Sequence, residues 1–210
     1  MSTRRRLTAT LTVTAVGALA AVTLGGGPAA AAPPGADRGP TELRVATYNL
    51  SLNRNATGQL ISDLSTTTNV QAKTVAEVIQ RANPDIVLMN EFDYDDEGLA
   101  VDLFRANYLE VSQGGAAPVE YPYAYVAPSN TGIASGFDLN NNGQTVTTPL
   151  APGYGDDAFG FGAFEGQFGM AVLSKYPIDT DAVRTFQHFL WKDMPGALLP
   201  DDPNTAAPAD

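Results

Sequence analysis

The 210-residue chain carries 12 basic and 23 acidic residues, a formal net charge of −11, one histidine and no cysteine. The lack of cysteine excludes disulfides, thiolate metal ligands and thiol catalysis, so the fold must rest on an apolar core. The acidic balance disfavours contact with polyphosphates unless a cation intervenes, and there is no basic stripe of the kind nucleic-acid readers carry.

Positions 1–31 open with Arg4, Arg5 and Arg6, continue through an apolar, Ala-rich run and end in small side chains. That is the layout of a secretory signal peptide, with Ala29 and Ala31 satisfying the small-residue rule and cleavage expected after Ala31. The stretch Leu7–Leu24 has the length of a short membrane span. Thr8, Thr10, Thr12, Thr14 and Thr23, and the Gly/Pro break after it, weigh against that reading. "TRRRL" partly fits a twin-arginine export signal, and the export route stays open. A secreted chain starting at Ala32 loses the three arginines and no acid, which moves the net charge from −11 to −14. Such a surface suits a site that recruits a divalent cation. Residues 32–41 read as a Pro/Gly linker, 42–200 as the folded portion, and 201–210 as a disordered tail.

"ELRVATYNL" (42–50) alternates as a strand does, with Leu43, Val45 and Thr47 on one side and Arg44, Ala46 and Tyr48 on the other. "NVQAKTVAEVIQRANPD" (69–85) is helical. Val75, Val78, Ile79 and Ala82 form its apolar stripe, Asn69 can cap its start, and Pro84 blocks continuation. "DIVLMN" (85–90) is apolar without alternation, which predicts a strand buried on both faces.

Strand, helix and strand in this order form a βαβ unit, whose two strands run parallel and end on the same sheet edge. Neighbouring strands lie about 4.8 Å apart. Asn49 closes the first strand and Glu91 the second. The topology therefore brings an amide and a carboxylate together at the carboxyl edge, where open α/β sheets place their ligands. Glu91 is the candidate metal ligand on a rigid support, and Asn49 stands beside it. The acids that follow (Asp93, Asp95, Asp96 and Glu97) read as a solvated loop, with Asp93 the one placed to contribute through water.

Beyond that edge, "LAVDLFRANYL" (99–109) predicts a helix. "YPYAYVA" (121–127) predicts a strand with Tyr121, Tyr123 and Tyr125 on one face. A Gly-rich excursion occupies 130–168, and "GMAVLSKYPI" (169–178) predicts a strand and turn. "AVRTFQHFLW" (182–191) is expected to pair with that strand as a hairpin, which makes His188 a strand residue without catalytic duty. Within the excursion, Asp138, Asn140, Asn142 and Gly143 match the opening of a calcium loop. Pro149 stands where the closing bidentate Glu is required, so a solvated Asn/Gly turn is the competing reading.

"RVATYNL", then "DIVLMNE", then "GMAVLSKYPI", in this order, resemble the endonuclease/exonuclease/phosphatase superfamily over roughly residues 42–190. The resemblance implies part of a four-layer α/β sandwich and a divalent cation, usually Mg²⁺, acting on a phosphate ester. It places Asn49 as a metal or phosphate contact and Glu91 as the main metal ligand. The chain departs from the family in several places. Asn90 stands where Gln is frequent, and Ser51 where some members carry Asp. The later Asp-x-Asn and Ser-Asp-His motifs do not occur in their expected places. Asp138-Leu139-Asn140 copies the first of these motifs, but it lies before the 169–178 strand and not after it.

The expectation is thus the amino-terminal portion of a secreted, metal-dependent phosphodiesterase, nuclease or phosphatase, inactive without a base supplied from further sequence. The alternative is a non-catalytic extracellular binding module that keeps a weak cation site. The substrate class, whether nucleic acid, lipid or small phosphate ester, is not written in these residues.

Overall fold

The computed structural model describes residues 42–198. The expected signal peptide, linker and tail lie outside the described residues. Among the described residues, no helix is long and apolar enough to cross a membrane.

Four strands form one mixed sheet: β1 (Val45–Leu52), β2 (Ile86–Phe92), β3 (Tyr123–Val126) and β4 (Met170–Ser174). Their order across the sheet is β1-β2-β4-β3. β1 and β2 are parallel neighbours, and β4 runs antiparallel to both β2 and β3. The βαβ expectation holds in register as well, with Val45 opposite Ile86 and Asn49 opposite Asn90.

The connection between β1 and β2 carries two helices, α1 (Gln59–Leu64) and α2 (Val70–Ala82). α2 starts where the sequence places its cap: the Asn69 side chain accepts the Ala72 N–H at 3.0 Å. It stops at Asn83, which takes a left-handed conformation (φ 45°) immediately before Pro84. Its buried stripe is Ala72, Val75, Ala76, Ile79 and Gln80, whereas Val78 and Ala82 face solvent. The stripe is rotated from the expected one because Gln80 is drawn inward. Its Nε2 donates to the carbonyls of Tyr108, Leu109 and Val111, and its Oε1 accepts from Gln113 N. The first two carbonyls belong to the irregular end of α3 (Leu99–Phe104), where Arg105–Leu109 widen into a π turn, and the third lies in the loop just after it. A polar side chain thus satisfies backbone groups that the helix itself leaves open.

The core lies between the helices and one face of the sheet. Leu50 and Leu52 of β1, Val87 and Met89 of β2, and Ala171 and Leu173 of β4 meet Leu60, Leu64, Val75, Ile79, Val101 and Phe104. The opposite sheet face is more open, with Val45 66 % and Met170 48 % exposed. β2 is therefore not buried on both faces as its continuous apolar run predicts. Ile86, Leu88 and Asn90 on its second face are only half-buried.

Two further expectations change. Tyr121 does not share a face with Tyr123 and Tyr125. It precedes β3, lies fully buried, and donates its hydroxyl to the Pro84 carbonyl at 2.9 Å. The expected 182–191 hairpin does not form: the segment holds only short 3₁₀ turns at its ends. The reason is topological, since β4 already has β2 on one side and β3 on the other. His188 consequently sits exposed in a turn, not in a strand.

Candidate functional site

β1 and β2 carry their C-terminal ends to the same edge. There the Asn49 amide donates through Nδ2 to Glu91 Oε1 at 2.6 Å. Asn49 Oδ1 accepts the backbone N–H of Ser51 at 3.0 Å. The amide orientation follows from chemistry: a backbone N–H can only donate and a carboxylate can only accept, so each fixes one end of the Asn49 group. Asn49 therefore spends its oxygen on its own strand and its nitrogen on Glu91. In this arrangement the amide nitrogen faces the carboxylate and the amide oxygen faces the chain of β1. Glu91 Oε2 makes no hydrogen bond among the described residues.

The strand alternation breaks at this point. Val87 and Met89 point into the core, and Glu91 is next in that series. A carboxylate there would be desolvated against leucines at large cost. Instead Glu91 adopts a left-handed conformation (φ 53°), and Phe92 takes the core position. The register records the shift: three steps on β1, from Asn49 to Leu52, match two on β2, from Asn90 to Phe92. Ser51, on the opposing bulge, is also left-handed (φ 48°), and its carbonyl is held by Gln71 Nε2 at 2.6 Å. Such conformations in non-glycine residues cost about 1–3 kcal/mol each and persist only where the surroundings impose them.

The surroundings here are three chain segments tied together just beyond Glu91. Phe92 N donates to the Gly169 carbonyl at 3.1 Å and Tyr94 N to the Gly166 carbonyl at 2.9 Å. Asp93, expected in a solvated acid run, is buried. Its Oδ2 accepts Arg54 N at 2.7 Å and its Oδ1 accepts Phe168 N at 3.2 Å. Gln167 is also buried; it donates to the Arg54 carbonyl and accepts Ala163 N, both at 2.6 Å. Burial pushes the Asp93 carboxyl up to about 6, against the pull of its two backbone donors and of the Arg54 charge. Asp93 is thus a buried structural acceptor and not part of a solvated acid run. Asp95 is likewise engaged, accepting from Leu99 N and Ala100 N at the start of α3.

Sequence reasoning misses Gln167 and Arg54. "EGQFG" (165–169) does hold a signal: two glycines bracket a Gln-Phe pair immediately before a strand, which marks close backbone approach. A Cβ on Gly169 would lie 2.8 Å from the Phe92 carbonyl oxygen.

Beside the strap formed by residues 166–169, a cavity of about 520 Å³ is lined by Asp93, Tyr94, Asp95, Asp96, Phe164 and Glu165 among others. Desolvation, and then the charges of Asp96, Asp95 and Glu165, raise the Tyr94 hydroxyl above its usual range. The acidic lining disfavours an anionic phosphate in this cavity.

No group of three or more His, Asp or Glu side chains is gathered in the excursion or elsewhere among the described residues. Asp138 accepts Asn142 N and Gly143 N, Asn140 accepts Asn142 N, and Asn142 accepts Gln144 N. These are the bonds of an Asn/Gly turn, the competing reading of that stretch. Asp157, fully buried, ties the turn down through Leu139 N and Val146 N.

As a donor set, one carboxylate held at a strand tip with open coordination around it suits Mg²⁺. That ion keeps several waters and is bound through one or two carboxylates plus substrate phosphate. In comparisons with known proteins, the model of the Endonuclease/Exonuclease/phosphatase family matches residues 46–209. No curated protein and no solved structure matches the chain.

Proposed function

The chain belongs to the endonuclease/exonuclease/phosphatase family, a family of phosphoric-ester hydrolases that is generally divalent-metal dependent, and from this we propose a secreted, Mg²⁺-dependent hydrolase of phosphate esters with its cation at Glu91. The observation that carries the reading is the Asn49–Glu91 bond at the shared carboxyl edge of β1 and β2. Glu91 would hold the cation through its carboxylate. Bound there, the cation would neutralise charge on the phosphoryl oxygens. Asn49 keeps the carboxylate in place by donating to Oε1 and is itself locked by Ser51 N. Export is supported by the Arg-then-apolar pattern of residues 1–31.

A second reading, an extracellular module that binds a cation without turnover, is favoured by one observation. His188, the single histidine of the chain, lies exposed in a turn and has no hydrogen-bonded carboxylate among the described residues. A general base requires an oriented ring. Two measurements on the secreted chain test both readings. Isothermal titration with Mg²⁺ should show binding that Glu91→Ala abolishes; equal binding by the variant ends the Glu91 assignment. Hydrolysis of a generic phosphodiester with and without Mg²⁺ separates the hydrolase from the module. A mature amino terminus at Ala32 in culture medium would support export, and retention of the intact chain in cells would refute it.

A further inference from the structure

We propose that Asp93 and Gln167 are positioning residues: together they hold Glu91 in its left-handed backbone conformation and thereby keep its carboxylate directed at Asn49. The inference rests on Glu91 being the cation ligand, the reading proposed above.

Two strained residues face each other across this edge. Glu91 is left-handed without being glycine, and so is Phe168 (φ 59°) in the strap that faces it. Each is close in sequence to a clamp residue, Glu91 to Asp93 and Phe168 to Gln167. Asp93 joins the end of β1 to the strap through Arg54 N and Phe168 N. Gln167 closes the same three-way junction from the other side, through the Arg54 carbonyl. The N–H and the carbonyl of one residue, Arg54, are therefore held by two buried side chains from two different segments. Phe92 N and Tyr94 N complete the strap at Gly169 and Gly166. With both flanks of Glu91 fixed, by the β1 pairing before it and the clamp after it, the chain can fit the extra residue opposite only by turning Glu91 outward. Without the clamp, the desolvation cost of the carboxylate still opposes the Met89 face, but nothing fixes the Glu91 backbone, and its side chain is no longer directed at Asn49.

The test uses the full chain and two readouts. The first is the melting temperature without metal. With the clamp intact, Glu91→Gly should melt above Glu91→Ala, because only glycine adopts this left-handed backbone without strain. In a Gln167→Ala background that advantage should vanish or reverse, because the backbone no longer has to be left-handed. A gap of the original size in both backgrounds overturns the proposal. The second readout is Mg²⁺ affinity with Glu91 present. It should fall about tenfold or more in Gln167→Ala, the size expected for groups that orient a metal ligand. Asp85→Ala, a structural change at the opposite end of the strands, should leave it unchanged. Unaltered affinity in Gln167→Ala overturns the positioning role. If Gln167→Ala does not fold, Asp93→Asn, which keeps the shape and one acceptor oxygen, replaces it in both arms. If the parent chain binds no Mg²⁺, the Glu91 reading fails by itself, and the melting comparison alone decides the clamp.

Discussion

Asn49 and Glu91, far apart in sequence, share a 2.6 Å hydrogen bond in which the amide nitrogen donates to the carboxylate. A donor to a charged acceptor is stronger than a neutral pair, but this one is largely exposed, so its net contribution to stability is about 1 kcal/mol. Its larger effect is on direction. Asn49→Ala removes both the donor to Glu91 and the acceptor for Ser51 N. The expected outcome is a small loss of stability with a roughly tenfold loss of Mg²⁺ affinity, read by calorimetric titration beside a denaturant melt. A variant that loses stability but binds Mg²⁺ as the parent does would show that Glu91 needs no orientation.

Much of this edge is legible in the sequence. The Asn69 cap, the Pro84 stop and two apolar runs are local signals, and together they specify a parallel pair with Asn49 and Glu91 at one end. What is not legible depends on contacts between distant segments. The outward turn of Glu91 has no glycine to announce it and is imposed by Asp93, Gln167 and the strap. Asp93 reads as solvated because its neighbours are acids, but its two partners, Arg54 N and Phe168 N, come from remote parts of the chain. The failed hairpin at 182–191 has the same origin: strand-like residues cannot pair with β4 once β2 and β3 occupy both of its sides. α1, a short helix that follows Gly58 and leads into a Ser/Thr-rich stretch, is too brief for its periodicity to register.

Gly169→Ala tests the strap by volume instead of by hydrogen bonding. The added methyl would meet the Phe92 carbonyl at 2.8 Å and Tyr94 Cβ at 2.9 Å, both closer than packing allows. The strap must lift, at a cost of about 1–3 kcal/mol. The expected result is a lower denaturation midpoint together with weakened Mg²⁺ binding, because the lift releases Phe92 N beside Glu91. An unchanged midpoint would mean the strap is loose in solution.

Asp85 anchors the opposite end of the same strands. It is buried, accepts Arg44 N at 2.8 Å, and lies 3.4 Å from Lys175 Nζ. Asp85→Ala strips an acceptor from a backbone donor and a partner from a half-buried cation, which should cost about 2–4 kcal/mol. Mg²⁺ affinity per folded molecule should not change. Loss of affinity beyond the unfolded fraction would reveal coupling along the strands.

Gln80→Leu should destabilise although it is apolar and of similar size. The Gln80 amide serves three carbonyls around the π turn and one N–H of the following loop. Leucine takes the partner from the Val111 carbonyl and from Gln113 N, at about 1–3 kcal/mol for the first unsatisfied group, while the Tyr108 and Leu109 carbonyls keep Gln113 Nε2 and Val119 N. Hydrogen exchange should be faster for amides of residues 105–113 than in the parent chain. Exchange that rises equally everywhere would point to a global effect instead.

His188→Ala should leave both stability and Mg²⁺ affinity unchanged, and should not reduce any phosphodiester hydrolysis the chain performs. His188 is exposed, its ring makes no hydrogen bond among the described residues, and the turn that carries it is held by its neighbour: Gln187 Nε2 donates to the Ser129 carbonyl, and the Gln187 carbonyl accepts from Asn130 Nδ2. Removing the imidazole therefore leaves the loop tethered. General-base catalysis typically contributes a factor of about 10²–10⁴, so a catalytic His188 would announce itself clearly in kcat/KM. Phosphodiester hydrolysis followed across pH 5–8 in parent and variant gives the comparison. A drop of tenfold or more would make His188 the base after all. It would also require the 183–190 segment to close over the Glu91 edge during turnover.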